Sequence, residues 1–100
     1  MKKKKFPTSI TILGRKVKIK QGRGLVYMGQ PCLGLCNYDE KIIYLEKEQS
    51  DEMKYDTLLH EIHHFYLELT GFSQKMSDAE NEIACQMFTA LFNDIKKLYE

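Results

Sequence analysis

The sequence has no apolar run that approaches the roughly 20 residues a membrane-spanning helix requires. It also lacks the apolar core of a signal peptide, because the early lysines are followed by Phe6, Pro7, Thr8 and Ser9. These two absences predict a cytoplasmic protein.

Cysteine is scarce, and its number is odd. Three cysteines, Cys32, Cys36 and Cys85, fit reduced thiols better than a disulfide framework. Cys32 and Cys36 have the spacing of a metal-binding pair, but no second pair accompanies them, and Cys85 lies in a helical pattern. We therefore interpret all three as small buried apolar residues.

Charge is nearly balanced, with a formal net charge of +1, so composition gives no general reason to expect nucleic acid as a partner. The one basic run, residues 2–5, is interpreted as part of a disordered tail over residues 1–5, and a nucleic-acid contact there is the less favoured interpretation. One hundred residues suffice for one small core, so residues 6–100 are predicted to form a single domain.

The first half of the chain carries strand patterns. Apolar residues alternate with polar ones on both sides of Gly14 and Arg15, which predicts a hairpin with four inward side chains: Ile10, Ile12, Val17 and Ile19. Residues 21–37 are rich in glycine and are expected to be mostly loop, with at most one weak strand. Residues 41–46 are β-branched and aromatic and predict a strand.

The second half carries helix patterns. Ser50, with two acidic residues behind it, predicts a helix from 51 to 70 that ends at Gly71. Ser77 and Glu80 have the spacing of a capping box and open a second helix with an apolar stripe: Ile83, Met87, Leu91, Ile95 and Leu98. Strands followed by two helices predict a small α+β domain.

Residues 60–64 of the first helix read HExxH. His60 and His64 are one helical turn apart on one face, so both can reach a single zinc ion, and Glu61 on the neighbouring flank can take a proton from a water on that metal. The two histidines lie opposite the apolar face of this helix, which consists of Leu58, Ile62, Phe65, Tyr66 and Leu69. The pattern predicts a zinc-dependent peptide hydrolase.

A catalytic zinc usually takes three protein ligands, so a third must come from elsewhere in the chain. The second helix offers Glu80 and Glu82. Glu80 shares a helix face with the apolar residues Ala84, Met87, Leu91 and Leu98, which predicts that it points toward the first helix, whereas Glu82 points nearly the opposite way. We predict Glu80 as the third ligand and keep Glu82 as the alternative; the competing role for Glu80 is the capping box with Ser77.

Two assignments stay open around this motif. His60 and His63 are also neighbours on the helix, but pairing them would place Glu61 between the ligands, so His63 is expected behind the ligands or at the edge of a cleft. A residue that holds the oxyanion could be any of five: Tyr38, Tyr44, Tyr55, Tyr66 or His63.

The segment from Thr57 to His64, with a short strand before it and a glutamate-bearing helix about sixteen residues after it, resembles the small phage-related zincin-like metallopeptidases, relatives of the ImmA/IrrE family. The resemblance covers roughly residues 38–95. It implies a minimal zincin-like fold, with a small twisted sheet packed on the HExxH helix and a second helix. It also implies a gluzincin site with His60, His64 and Glu80 on zinc and Glu61 as general base. The second helix lacks the Glu, Ala, Asn, Phe, Ala run common in ImmA-like proteins.

Two expectations concern partners. The strand at 41–46 would border the cleft and pair with an extended peptide substrate by strand addition. The alternative to an enzyme is a catalytically silent module, stabilised by zinc, that binds a phage or host protein.

Overall fold

The computed structural model describes residues 6–100, and the predicted tail at residues 1–5 lies outside the described residues. The elements are β1 (Ser9–Ile12), β2 (Arg15–Gly22), β3 (Val26–Tyr27), β4 (Gln30–Pro31), β5 (Gly34–Asn37), β6 (Ile42–Glu46), α1 (Asp51–Leu69), a short 3-10 helix (Phe72–Lys75) and α2 (Asp78–Lys97). Strands precede helices, which confirms the α+β class. Within residues 6–100, no helix has the combination of length and apolarity that crossing a membrane demands.

The main sheet is mixed and has the strand order β1, β2, β6, β5. β1 and β2 form the predicted hairpin, and Leu13 and Gly14 between them both have positive φ, as a two-residue hairpin turn of this type requires. β2 then pairs with β6 in parallel. The predicted inward set is confirmed, because Ile12, Val17 and Ile19 are buried and Ile10 packs against them.

The expectation that residues 21–37 are mostly loop was wrong. β3 and β4 form a two-stranded hairpin of their own, and β5 adds to the main sheet antiparallel to β6. β5 has no strict alternation of apolar and polar residues, because α1 covers it and all four of its residues are half-buried. The predicted strand at 41–46 is confirmed as β6, but it lies inside the sheet, and β5 is the edge strand next to it.

Both predicted ends of α1 are confirmed. The Ser50 hydroxyl accepts a hydrogen bond from the Met53 N–H, and Gly71, with φ of 83°, follows the last turn. α1 packs across β1, β5 and β6. Its residues Leu58 and Phe65 complete the core that the sheet supplies with Ile12, Val17, Ile19, Ile43 and Leu45.

α2 begins at the predicted capping box of Ser77 and Glu80 and packs on α1. The expectation that its apolar stripe faces inward was wrong: Ile83, Met87, Leu91, Ile95 and Leu98 are all exposed. The buried residues of α2 are Cys85 and Thr89. Small side chains therefore form the buried part of the contact with α1, and α2 is turned about its axis relative to the orientation that apolar patterning predicts.

This orientation predicts unequal stability costs for two leucine truncations. Leu45→Ala removes a fully buried side chain and should cost about 2–5 kcal/mol of unfolding free energy. Leu91→Ala removes a side chain that is 52% exposed and should change stability by about 0.5 kcal/mol. Chemical denaturation of both variants beside the wild type measures the difference, and an equal cost at the two positions would contradict the described orientation of α2.

Candidate metal centre

The two outer histidines of the motif face a cleft of about 630 Å³. α1 forms one wall of this cleft, the edge strand β5 a second wall, and Glu82, Gln86 and Thr89 of α2 a third. The rings of His60 and His64 lie 4.9 Å apart, one helical turn from each other. Their side chains are only 16% and 13% exposed, so the pair is partly shielded from water and still reachable from the cleft.

Glu82 closes the donor set. One carboxylate oxygen lies 3.0 Å from Nε2 of His60, and the other lies 2.9 Å from Nε2 of His64. Metal–ligand bonds of about 2.0–2.2 Å in a tetrahedral zinc site place donor atoms about 3.3 Å apart. The two nitrogen–oxygen separations at Glu82 are only a few tenths of an ångström shorter than this value, so the residues present fit the metal.

The structure does not bring Glu80, the preferred third ligand, to the histidines. Its carboxylate accepts the Ser77 N–H at 2.9 Å, while the Ser77 hydroxyl accepts the Glu80 N–H, so both residues complete the capping box. The Ser77 N–H lowers the pKa of Glu80, as expected for a carboxylate fixed at a helix start. Glu80 was predicted to face α1 because the apolar stripe of α2 was expected to pack on α1. The stripe is exposed instead, so that prediction was based on the wrong helix face.

Glu61, the predicted base, is 8% exposed and lies beside the histidines in the cleft lining. Burial raises the pKa of its carboxyl, and the imidazoles of His64 and His60 act in the opposite direction. The Cys36 thiol donates to a Glu61 carboxylate oxygen at 3.4 Å. Burial and the nearby Glu61 carboxylate raise the pKa of that thiol, which keeps its proton available for the hydrogen bond.

Gly34 at the start of β5 allows the edge strand to approach Glu61 closely. A Cβ at this position would lie 2.7 Å from the Thr57 methyl group and 2.9 Å from Cγ of Glu61. These separations are shorter than van der Waals contact, so any side chain here would push β5 away from α1 or displace the base.

Other polar groups fix the orientation of the rings. Gln86 Oε1 lies 3.2 Å from Nδ1 of His60, which directs the opposite nitrogen of that ring toward Glu82. His63 is turned toward α2, where it stacks on Phe88 with ring centroids 4.5 Å apart, and its Nδ1 lies 2.7 Å from the Leu59 carbonyl oxygen. His63 therefore does not line the cleft.

Among the five residues considered for the oxyanion, Tyr38 is the one that lines the cleft within the described part of the chain. Its ring packs edge-on against Phe65, with centroids 5.0 Å apart. Burial raises the pKa of the Tyr38 phenol, so it stays a hydrogen-bond donor at neutral pH. Tyr27, which sequence reasoning did not consider, also lines the cleft.

Sequence reasoning missed Cys85 at the site. Its sulfur and one ring nitrogen each of His60 and His64 all lie within 4.8 Å of one another. Burial, with the Glu82 and Glu61 carboxylates nearby, raises the pKa of this thiol to about 12. The sequence contains one indication of this placement, because Cys85 follows Glu82 by three positions and shares its helix face. That indication can be used only when Glu82 is known to face the histidines.

Comparisons of the chain with protein-family models, with curated proteins and with solved structures found no match. The function of the site is therefore inferred from the geometry of its residues.

Zinc affinity distinguishes between Glu80 and Glu82 as the proposed third ligand. Glu82→Ala removes a carboxylate that contacts both histidines and should weaken zinc binding by more than about 100-fold, beyond the loss typical for a residue that only orients a ligand. Glu80→Ala is the matched control on the same helix and should bind zinc as the wild type does. Zinc titration against a competing chelator gives both affinities, and a loss confined to Glu80→Ala would refute the assignment.

The close contact at Gly34 predicts that Gly34→Ala destabilises the fold by about 1–3 kcal/mol through overpacking. Gly22→Ala is the control, because a Cβ there meets its nearest atom at an ordinary 3.9 Å. Thermal or chemical unfolding measures both effects. Equal stabilities for the two variants would show that β5 does not approach Glu61 as described.

Proposed function

We propose that this protein is a zinc-dependent peptide hydrolase whose metal is held by His60, His64 and Glu82. The observation that supports this most directly is the carboxylate of Glu82, whose two oxygens lie 3.0 and 2.9 Å from the Nε2 atoms of an i, i+4 histidine pair. Two neutral imidazoles and one carboxylate are a donor set typical of catalytic zinc. When bound there, zinc supplies Lewis acidity and lowers the pKa of water toward neutrality.

Glu61 is the general base in this proposal. Its carboxylate lies in the cleft next to the histidines, and burial raises its pKa while the nearby imidazoles oppose that shift. It takes a proton from the attacking water and later delivers a proton to the leaving amine. The Cys36 thiol binds one of its oxygens and thereby holds the carboxylate in position.

The edge strand provides the means of holding a peptide. β5 pairs with β6 on one side only in the described sheet, and its residues from Gly34 to Cys36 line the cleft. An extended peptide can add to this free edge through main-chain hydrogen bonds, which places a peptide carbonyl opposite Glu61 and the histidines. Tyr38 at the end of this wall is the candidate donor to the oxyanion.

The second candidate is the silent binding module. The observation that favours it is the buried thiol of Cys85 beside the histidine pair, because a fourth protein donor would occupy the position that a tetrahedral catalytic zinc keeps for water. Retention of full biological effect by a variant without its base would favour the module over the enzyme.

Replacement of the base tests the enzyme directly. Glu61→Gln should keep zinc and the fold and should lower peptide hydrolysis by about 100-fold or more, the usual contribution of a general base. Glu52→Gln, at an exposed position on the same helix, is the control and should leave the rate unchanged. The assay follows cleavage of a quenched fluorescent peptide library together with zinc content; an undiminished rate in Glu61→Gln would contradict the assigned role.

A further inference from the structure

We propose that Cys85 binds the metal directly, so that zinc is held by the sulfur of Cys85 together with His60, His64 and Glu82. This inference rests on the metal site of the proposed function and adds to it a donor of different chemistry. Metal binding converts the thiol to a thiolate, and its proton leaves to solvent.

The distances support a sulfur ligand. The Cys85 sulfur and the two histidine nitrogens lie within 4.8 Å of one another, whereas tetrahedral zinc with bonds of about 2.3 Å to sulfur and about 2.0 Å to nitrogen places these donors about 3.6 Å apart. Side-chain movements of about 1 Å would therefore bring the sulfur and the two nitrogens to the separations that zinc requires.

The surroundings of the thiol also support it. Cys85 has no exposed surface, and its sulfur makes one long contact, 3.8 Å, to Oδ1 of Asn81. Within the described residues it has no shorter hydrogen bond, so the sulfur can turn toward the histidines without losing a strong interaction. The fixed helix backbone around it, where the Thr89 hydroxyl donates to the Cys85 carbonyl at 2.9 Å, holds the residue against α1.

Cys85 and Glu82, which share one face of α2, differ in their burial. Cys85 is buried between the helices, whereas the Glu82 side chain is 60% exposed at the mouth of the cleft. With four protein donors, water would have to enter as a fifth ligand, an expansion that catalytic zinc sites show. The sulfur favours zinc or cobalt over magnesium, calcium or manganese.

Cobalt(II) provides a readout that does not depend on activity. Metal-free protein, kept reduced, would receive one equivalent of Co²⁺, and absorption spectra would be recorded for the wild type, Cys85→Ser and Cys36→Ser. Thiolate bound to Co²⁺ gives a charge-transfer band in the near ultraviolet, and tetrahedral coordination gives bands in the visible. The wild type and Cys36→Ser should show both sets, and Cys85→Ser should lose the near-ultraviolet band; circular dichroism and thermal unfolding of Cys85→Ser check that this variant is folded.

Four results would overturn the inference. Visible bands without a charge-transfer band in the wild type would leave the site of two histidines and Glu82 intact and remove Cys85 from it. Loss of the charge-transfer band in Cys36→Ser, or its persistence in Cys85→Ser, would assign the sulfur ligand elsewhere. No cobalt binding by the wild type would contradict both this inference and the proposed function.

Discussion

The close approach of α2 to α1 is the constraint on which the site depends. The two imidazoles come from one helix, and the carboxylate that contacts both of them comes from the neighbouring helix. The buried residues on α2 are Cys85 and Thr89, whose small side chains place little volume between the two helices at this point. Larger residues at these two positions would move Glu82 away from the histidines, so the composition of this contact is part of the site.

The sheet and the site are coupled through Glu61. This carboxylate lies between α1 and β5, where the absence of a side chain at Gly34 leaves room for it and the Cys36 thiol binds it. A buried carboxylate is unfavourable without hydrogen bonds or nearby cationic groups. The imidazoles of His60 and His64, the Cys36 thiol and a bound metal would each offset the cost of burying the Glu61 carboxylate. Glu61 and these groups therefore stabilise one another.

Much of the fold follows from local sequence signals. Three predicted features depend on residues close together in the chain: the hairpin of β1 and β2, the capped start of α1 at Ser50 and the capping box at Ser77. The structure confirms all three. β5 was missed, because its burial comes from α1, which lies later in the sequence. The pairing of β2 with β6 is likewise non-local.

The glutamate that contacts the two histidines could not be identified from the sequence, because the rotation of a helix about its axis is a tertiary property. Apolar patterning assigns an inward face only if the apolar residues are buried in the same chain, and on α2 they are exposed. The spacing of His60 and His64, by contrast, fixes their relative position on any helix. The relative placement of the two histidines could therefore be predicted from the sequence. The choice between Glu80 and Glu82 as their neighbour required the packing of α2.

The proposed metal ion would bind where α1 and α2 meet. Anomalous diffraction at the zinc edge, measured on crystals of protein purified without chelators, locates such an ion independently of any assay. We expect one strong peak within bonding distance of Nε2 of His60, Nε2 of His64 and the Glu82 carboxylate. A map without a peak at this position, or with its peak elsewhere on the chain, would contradict it.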